Sequence, residues 1–184
     1  MLRCQAEFFW LVLKWARDDS TPLYIGSVQL MNLIQVHTAE HIAIARQLFR
    51  EYQQWLQISL CFQNFDAELA NLPGDYATPD GRLLLIYDGP DLAGCVALRK
   101  FKEDTCEMKR LFLRAQFRGR GLGRKLIEAI IAEAKQIGYR RMRLDTLPPK
   151  MNDAIALYES YGFKQIAAYY DNPVPGAMFM ELGL

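Results

Sequence analysis

Residues 106–113 read Cys-Glu-Met-Lys-Arg-Leu-Phe-Leu, and residues 118–123 read Arg-Gly-Arg-Gly-Leu-Gly. The first stretch is apolar and strand-like. The second opens a long amphipathic segment, roughly Leu122 to Gln136, that predicts a helix. A strand feeding a glycine-rich turn at a helix start is a device for holding phosphate. Glycine lets the backbone come close to an anion, the unpaired N–H groups of the first helical turn point at it, and the helix dipole favours negative charge there. Arg118, Arg120, Arg124 and Lys125 add positive charge around the same turn.

The spacing narrows the ligand. A P-loop needs G-x-x-x-x-G-K-[ST], and no Gly-Lys-Ser/Thr occurs in the chain. The dinucleotide fingerprint G-x-G-x-x-G lacks its third glycine from either Gly119 or Gly121. The pattern that fits is R-x-x-G-x-G, from Arg118 through Gly121 to Gly123. Downstream, Arg140 to Leu147 alternates like a strand. The stretch from Asn152 to Phe163 then reads as a helix, with Asn152 as its N-cap, Ala154, Ile155, Leu157 and Tyr158 as its apolar face, and Gly162 as its stop.

Both motifs, in this order, resemble those of the GNAT superfamily of N-acetyltransferases. The first resembles its pyrophosphate-binding motif. The second matches its closing signature at Asn152, Ile155-Ala156, Leu157, Tyr158, Gly162 and Phe163. The resemblance runs from about Met31 to the C-terminus and is sharpest from Glu107 to Phe163. It implies acetyl-coenzyme A as co-substrate. Arg118, Gly119, Arg120, Gly121, Leu122, Gly123 and Arg124 would hold its pyrophosphate. The backbone of Leu111, Phe112 and Leu113 would meet the pantetheine arm like an added strand.

Aminolysis of a thioester needs a neutral amine, donors for the oxyanion and an acid for the leaving thiolate. The resemblance implies Tyr158 as the acid, against its reading as a packed aromatic. It implies Glu107 as the base, against a surface carboxylate paired with Lys109, since residues i and i+2 of a strand share a face. On that alternation Glu107, Lys109, Leu111 and Leu113 line one face, and Met108, Arg110 and Phe112 the other. Asn152 would bind coenzyme, cap its helix, or both. Nothing in the sequence puts a base beside a cysteine, so direct transfer is favoured over an acyl-cysteine route.

Composition sets the outer bounds. The chain has 184 residues, 51% of them apolar, and a formal net charge of +1. That predicts a soluble globular protein with no bulk pull toward nucleic acid. The four cysteines, Cys4, Cys61, Cys95 and Cys106, form no C-x-x-C pair, and two lie in apolar strands. Free thiols in a reducing cytoplasm are the expectation. His37 and His41 have no cysteine partner, so no metal site is expected. Phe8 to Leu13 is strongly apolar but too short to span a bilayer, which takes about 20 residues. Residues 1–30 are therefore read as an extension, either a helical appendage or the product of an upstream start codon. Residues 31–184 are read as a single domain, monomeric or homodimeric, without membrane or nucleic-acid partners.

The predicted order is a strand at Leu33–Val36, a helix capped by Thr38 and running to about Gln57, and a helix at Phe65–Leu72 stopped by Pro73-Gly74. Strands follow at Arg82–Tyr87, Leu92–Phe101 and Thr105–Leu113. After the helix, strand and helix already described come strands at Lys164–Tyr170 and Ala177–Leu182. This is a mixed α/β order with a twisted, mostly antiparallel sheet flanked by helices. Phe65, Asp66, Glu68, Asp75, Tyr76, Tyr169, Tyr170 and Asp171 are candidates for the acceptor side, with Asn172 to Gly176 a rigid turn shaping it. A small-molecule amine is the expected acceptor. A protein lysine or N-terminus, and a non-catalytic acyl-coenzyme A-binding module, are the alternatives.

Overall fold

The computed structural model describes residues 31–148 and 150–184. The proposed extension, residues 1–30, lies outside the described residues. Seven strands form one sheet: β1 (Met31–Gln35), β2 (Arg82–Asp88), β3 (Asp91–Lys102), β4 (Thr105–Leu113), β5 (Arg141–Thr146), β6 (Lys164–Ile166) and β7 (Met178–Gly183). They lie in the order β1-β2-β3-β4-β5-β7-β6. Every neighbouring pair is antiparallel except β4 and β5, which are parallel. Helices α1 (Ala39–Leu56), α2 (Phe65–Asn71), α3 (Leu122–Ile137) and α4 (Asn152–Ser160) flank the sheet. The mixed α/β, mostly antiparallel reading holds.

The sheet is covered on both faces, which is why β2 is a nearly continuous apolar run rather than an alternating one. Leu84, Val96, Met108 and Met142 pack beneath Leu126 and Ile130 of α3 and Tyr158 of α4. On the opposite face Leu83, Leu85, Cys95 and Phe112 pack against Leu48 and Phe49 of α1 and Phe65 of α2. Thr38 caps α1 as expected, its hydroxyl accepting from the His41 N–H at 3.1 Å. Gly138 ends α3 with φ of 105°, a left-handed conformation that suits glycine.

Three expectations are corrected. Met151 occupies the N-cap position of α4, no side chain caps it, and Asn152 is the first helical residue. The strand expected over Lys164–Tyr170 keeps only Lys164–Ile166 in the sheet, paired with Glu181 to Phe179 of β7. The third correction concerns β4, where the simple alternation of faces fails. Cys95 pairs with Phe112 and Ala97 with Lys109, so Arg110 and Leu111 together stand opposite Val96. This is a β-bulge, and Arg110 takes φ of 55° to make it. The extra residue reverses the parity. Met108 therefore shares a core with Leu111 and Leu113, while Phe112 lies in the other core.

Close approach between β3 and β4 fixes the bulge from the other side. A Cβ on Gly94 would collide with the Phe112 carbonyl oxygen and crowd Leu113 at 2.8 Å. Gly94→Ala should cost about 2–3 kcal/mol, the scale of an overpacked core. Urea unfolding checks this, and an unchanged midpoint would mean that the β3–β4 spacing is loose.

Candidate active site

Strands β4 and β5 stay together only from Thr105–Arg141 to Glu107–Arg143. Beyond that they part. The backbone edge of Met108 to Leu113 that faces β5 has no strand partner. A cavity fills the wedge, lined among others by Tyr52 of α1, Lys109, Arg110 and Leu111 of β4, Asp145 of β5 and Tyr158 of α4. The turn that starts α3 follows the far end of β4, where Arg118 reaches back to the Leu113 carbonyl.

That turn has the form expected of an anion cradle. Gly119 and Gly121 have φ of 76° and 80°, and a Cβ on either would meet nothing within 4 Å. The first α-type hydrogen bond of α3 runs from the Lys125 N–H to the Gly121 carbonyl. The N–H groups of Leu122, Gly123 and Arg124 are thus left without helical partners. Gly123 stands between Leu113 and Leu157, each 3.6 Å from where its Cβ would be. The Leu122 side chain is core, so only its backbone belongs to the turn. Arg118 donates to the Leu113 carbonyl at 3.1 Å. Arg120 pairs with Asp88 at 2.9 Å, and Arg124 lies over the Tyr161 ring.

Deeper in the wedge lies a buried network of charges. Arg110 grips the Glu68 carboxylate with two nitrogens and donates to the Gln63 side-chain oxygen at 3.0 Å. Tyr76 donates to the same carboxylate at 2.7 Å. Lys109 Nζ stands 2.9 Å from Asp145 and 3.8 Å from Glu107. Arg99 donates to Glu107 at 2.8 Å. From the β6–β7 loop, Tyr169 donates to Glu107 at 2.8 Å and Tyr170 to Asp145 at 2.9 Å. Asn172 donates to the Tyr170 hydroxyl oxygen at 3.0 Å.

Glu107 is 1% exposed and does not line the cavity. Asp145 and Tyr158 do. Burial pushes the Tyr158 phenol far above its ordinary range, so it stays protonated near neutrality. Burial pushes the Tyr52 phenol up to about 12 despite nearby Arg110. The Cys95 thiol is also raised by burial, and Cys106 is raised to about 12, so neither is a thiolate near neutrality.

The acetyltransferase (GNAT) family model matches residues 43–163. An uncharacterised N-acetyltransferase of Schizosaccharomyces pombe is 42% identical over 139 residues, covering 74% of this chain and 85% of its own. The chain belongs to the GNAT family. In fold it is similar to an acetyltransferase from Streptococcus agalactiae (TM-score 0.69, 24% identity, 84% of this chain and 98% of that one). It is likewise similar to the PaiA N-acetyltransferase of Thermoplasma acidophilum, solved in complex with coenzyme A (TM-score 0.64, 16% identity, 84% and 99%).

Of the acceptor-side residues expected in this GNAT chain, Glu68, Tyr76, Tyr169 and Tyr170 join the buried network and Phe65 packs against Arg110. Asp66, Asp75 and Asp171 are exposed. Asp145, Arg110, Arg99 and Gln63 carry no site expectation from the sequence, while Asn172, expected in the rigid turn, joins the network. Asp145 had a usable signal: Arg141, Arg143 and Asp145 fall at alternate positions of one strand, which puts three charges on a single face.

The network makes stability depend on pH in one direction. Burial raises the Glu68 carboxyl, but the Arg110 bonds and charge outweigh it and leave it lowered. Asp145 is lowered in the same way, burial being outweighed by Lys109. A carboxyl depressed in the folded state stabilises it fully above its unfolded pKa, near 4, and that gain is lost as pH falls through the folded value. Glu68→Gln should therefore cost about 2–4 kcal/mol at pH 7, and the gap to wild type should shrink below about pH 4. Urea unfolding at pH 7 and pH 3.5 tests this; a gap that does not change with pH would contradict it.

Proposed function

We propose that this chain transfers the acetyl group of acetyl-coenzyme A directly to the primary amine of a small molecule. One observation carries the reading: the strands part beside an unpaired β4 edge, and the chain that leaves this edge at Leu113 forms a glycine turn whose Leu122, Gly123 and Arg124 N–H groups have no helical partner. Such an edge suits the amides of a pantetheine arm, and such a turn suits a pyrophosphate. The neighbour solved with coenzyme A supports the same assignment. The backbone of Leu111, Phe112 and Leu113 would hold the arm. The turn from Arg118 to Arg124 would hold the phosphates, and Asn152, exposed at the start of α4, would lie beside them.

Direct attack fits thiols that are buried and protonated. Tyr158 would protonate the leaving thiolate. Burial keeps its phenol protonated, and a thiolate formed in the same buried place would be made more basic by the same desolvation. Glu107 remains the proposed final proton acceptor, reached through water or the side chains around it. A second reading makes Asp145 the first acceptor, because it lines the cavity and Glu107 does not. The small size of the cavity favours a small amine over a peptide. Free, buried thiols at Cys95 and Cys106 suit a reducing cytoplasm.

Tyr158→Phe should leave acetyl-coenzyme A affinity within about twofold and lower kcat by about 10- to 1000-fold. Wild-type kcat in that variant would return Tyr158 to a packing role. Glu107→Gln and Asp145→Asn should be compared across pH with an amine panel and a free-thiol readout. The variant lacking the true base loses most rate at low pH, where the amine is protonated. A loss that is flat across pH in both would remove carboxylate base catalysis.

A further inference from the structure

Trp55 stands near the end of α1, on the side of the wedge away from α3, and it is the meeting point of the two cleft walls. The Arg118 guanidinium, from the turn after β4, lies 4.7 Å from the centre of its ring. The Lys150 ammonium, from the connection between β5 and α4, lies 5.6 Å from the same ring. Lys150 also donates to the Leu56 carbonyl at 2.7 Å, at the end of a helix whose last turn has no basic residue of its own. Trp55 is half-buried against Tyr52 and Phe112, which fixes the indole. Its neighbours Tyr52, Leu56, Leu147 and Met151 line the wedge cavity. Two cations, from the connections that follow β4 and β5, are therefore held at one ring.

Two like charges brought together without an anion repel. An indole offsets that by offering its negative face, worth about 0.5–1 kcal/mol per cation when exposed. A phosphate offers far more to both, because charge-assisted hydrogen bonds are roughly twice as strong as neutral ones. We propose that Trp55 and Lys150 belong to the coenzyme site. Trp55 is a positioning residue that keeps Arg118 and Lys150 together, and Lys150 is a second cation for the phosphates, supplied by the wall opposite the glycine turn. This rests on the acyl-coenzyme A reading above. Its consequence is cooperative: the coenzyme's phosphates tie the β4 wall to the β5 wall and hold the wedge at a fixed width.

The test separates phosphate binding from pantetheine binding. Acetyl-coenzyme A and phosphate-free S-acetyl-pantetheine are titrated by calorimetry into wild type, Lys150→Met and Trp55→Leu. Both variants should weaken acetyl-coenzyme A by about five- to twentyfold and leave S-acetyl-pantetheine within about twofold. Raising the salt should narrow the wild-type advantage. Lys150 is exposed, so Lys150→Met keeps the test valid if Trp55→Leu folds poorly. Equal losses for both ligands would make the stack a purely structural tie between α1 and the cleft walls and would overturn the proposal. Unchanged acetyl-coenzyme A affinity in Lys150→Met would also overturn it. If wild type binds neither ligand, the acyl-coenzyme A reading itself fails and this inference goes with it.

Discussion

Two parallel strands that pair for three residues and then separate are the constraint on which the site depends. An interior sheet edge left unpaired is costly, since each buried backbone donor or acceptor without a partner loses its hydrogen bond to water. Here the unpaired stretches are Met108–Leu113 of β4 and Leu144–Thr146 of β5, and the bulge at Arg110 lies within the first. The bulge both bends β4 away and reverses its face parity. Leu111 and Leu113 then face the α3 core while Arg110 reaches α2. A non-glycine residue at φ of 55° is uncommon and is held only by strong surroundings. Those surroundings are the two-nitrogen grip on Glu68 and the aromatic rings of Tyr52 and Phe65 against the guanidinium.

The charges beneath the wedge balance. Arg99, Lys109 and Arg110 face Glu68, Glu107 and Asp145, and each carboxylate has a cation within 3 Å. A balanced network of this kind adds little net stability over an apolar core of the same shape, but it is expensive to break. It also spans elements far apart in the chain: α2, β3, β4, β5 and the β6–β7 loop. A proton delivered to any one carboxylate is felt by the others through Lys109, which stands between Glu107 and Asp145. That makes a single-residue assignment of the base a question about a coupled group.

The sequence was most readable where structure is local. The Thr38 cap, the α3 amphipathic run and the glycine turn each depend on residues within a few positions, and each was read correctly. The bulge was not readable, because the carboxylate that holds Arg110 there lies 42 positions away. Simple alternation puts Leu111 and Leu113 on the face of Glu107 and Lys109, and it fails downstream of Lys109 for that reason. Tyr169 and Tyr170 show the same limit. In a strand, adjacent side chains point to opposite faces, yet both phenols donate to carboxylates of one network. A regular strand does not allow that, and both phenols reach the network from the β6–β7 loop. The two GNAT motifs announced the family and the glycine turn, whereas the buried charge network is built from contacts between distant segments.

Amide hydrogen exchange with and without acetyl-coenzyme A tests the central claim most directly. If the unpaired β4 edge is the seat of the pantetheine arm, saturating acetyl-coenzyme A should slow exchange at backbone amides within Met108–Leu113 and at Leu122, Gly123 and Arg124 together. Saturable binding that leaves both stretches exchanging at their unliganded rates would contradict the account and place the coenzyme elsewhere on the molecule.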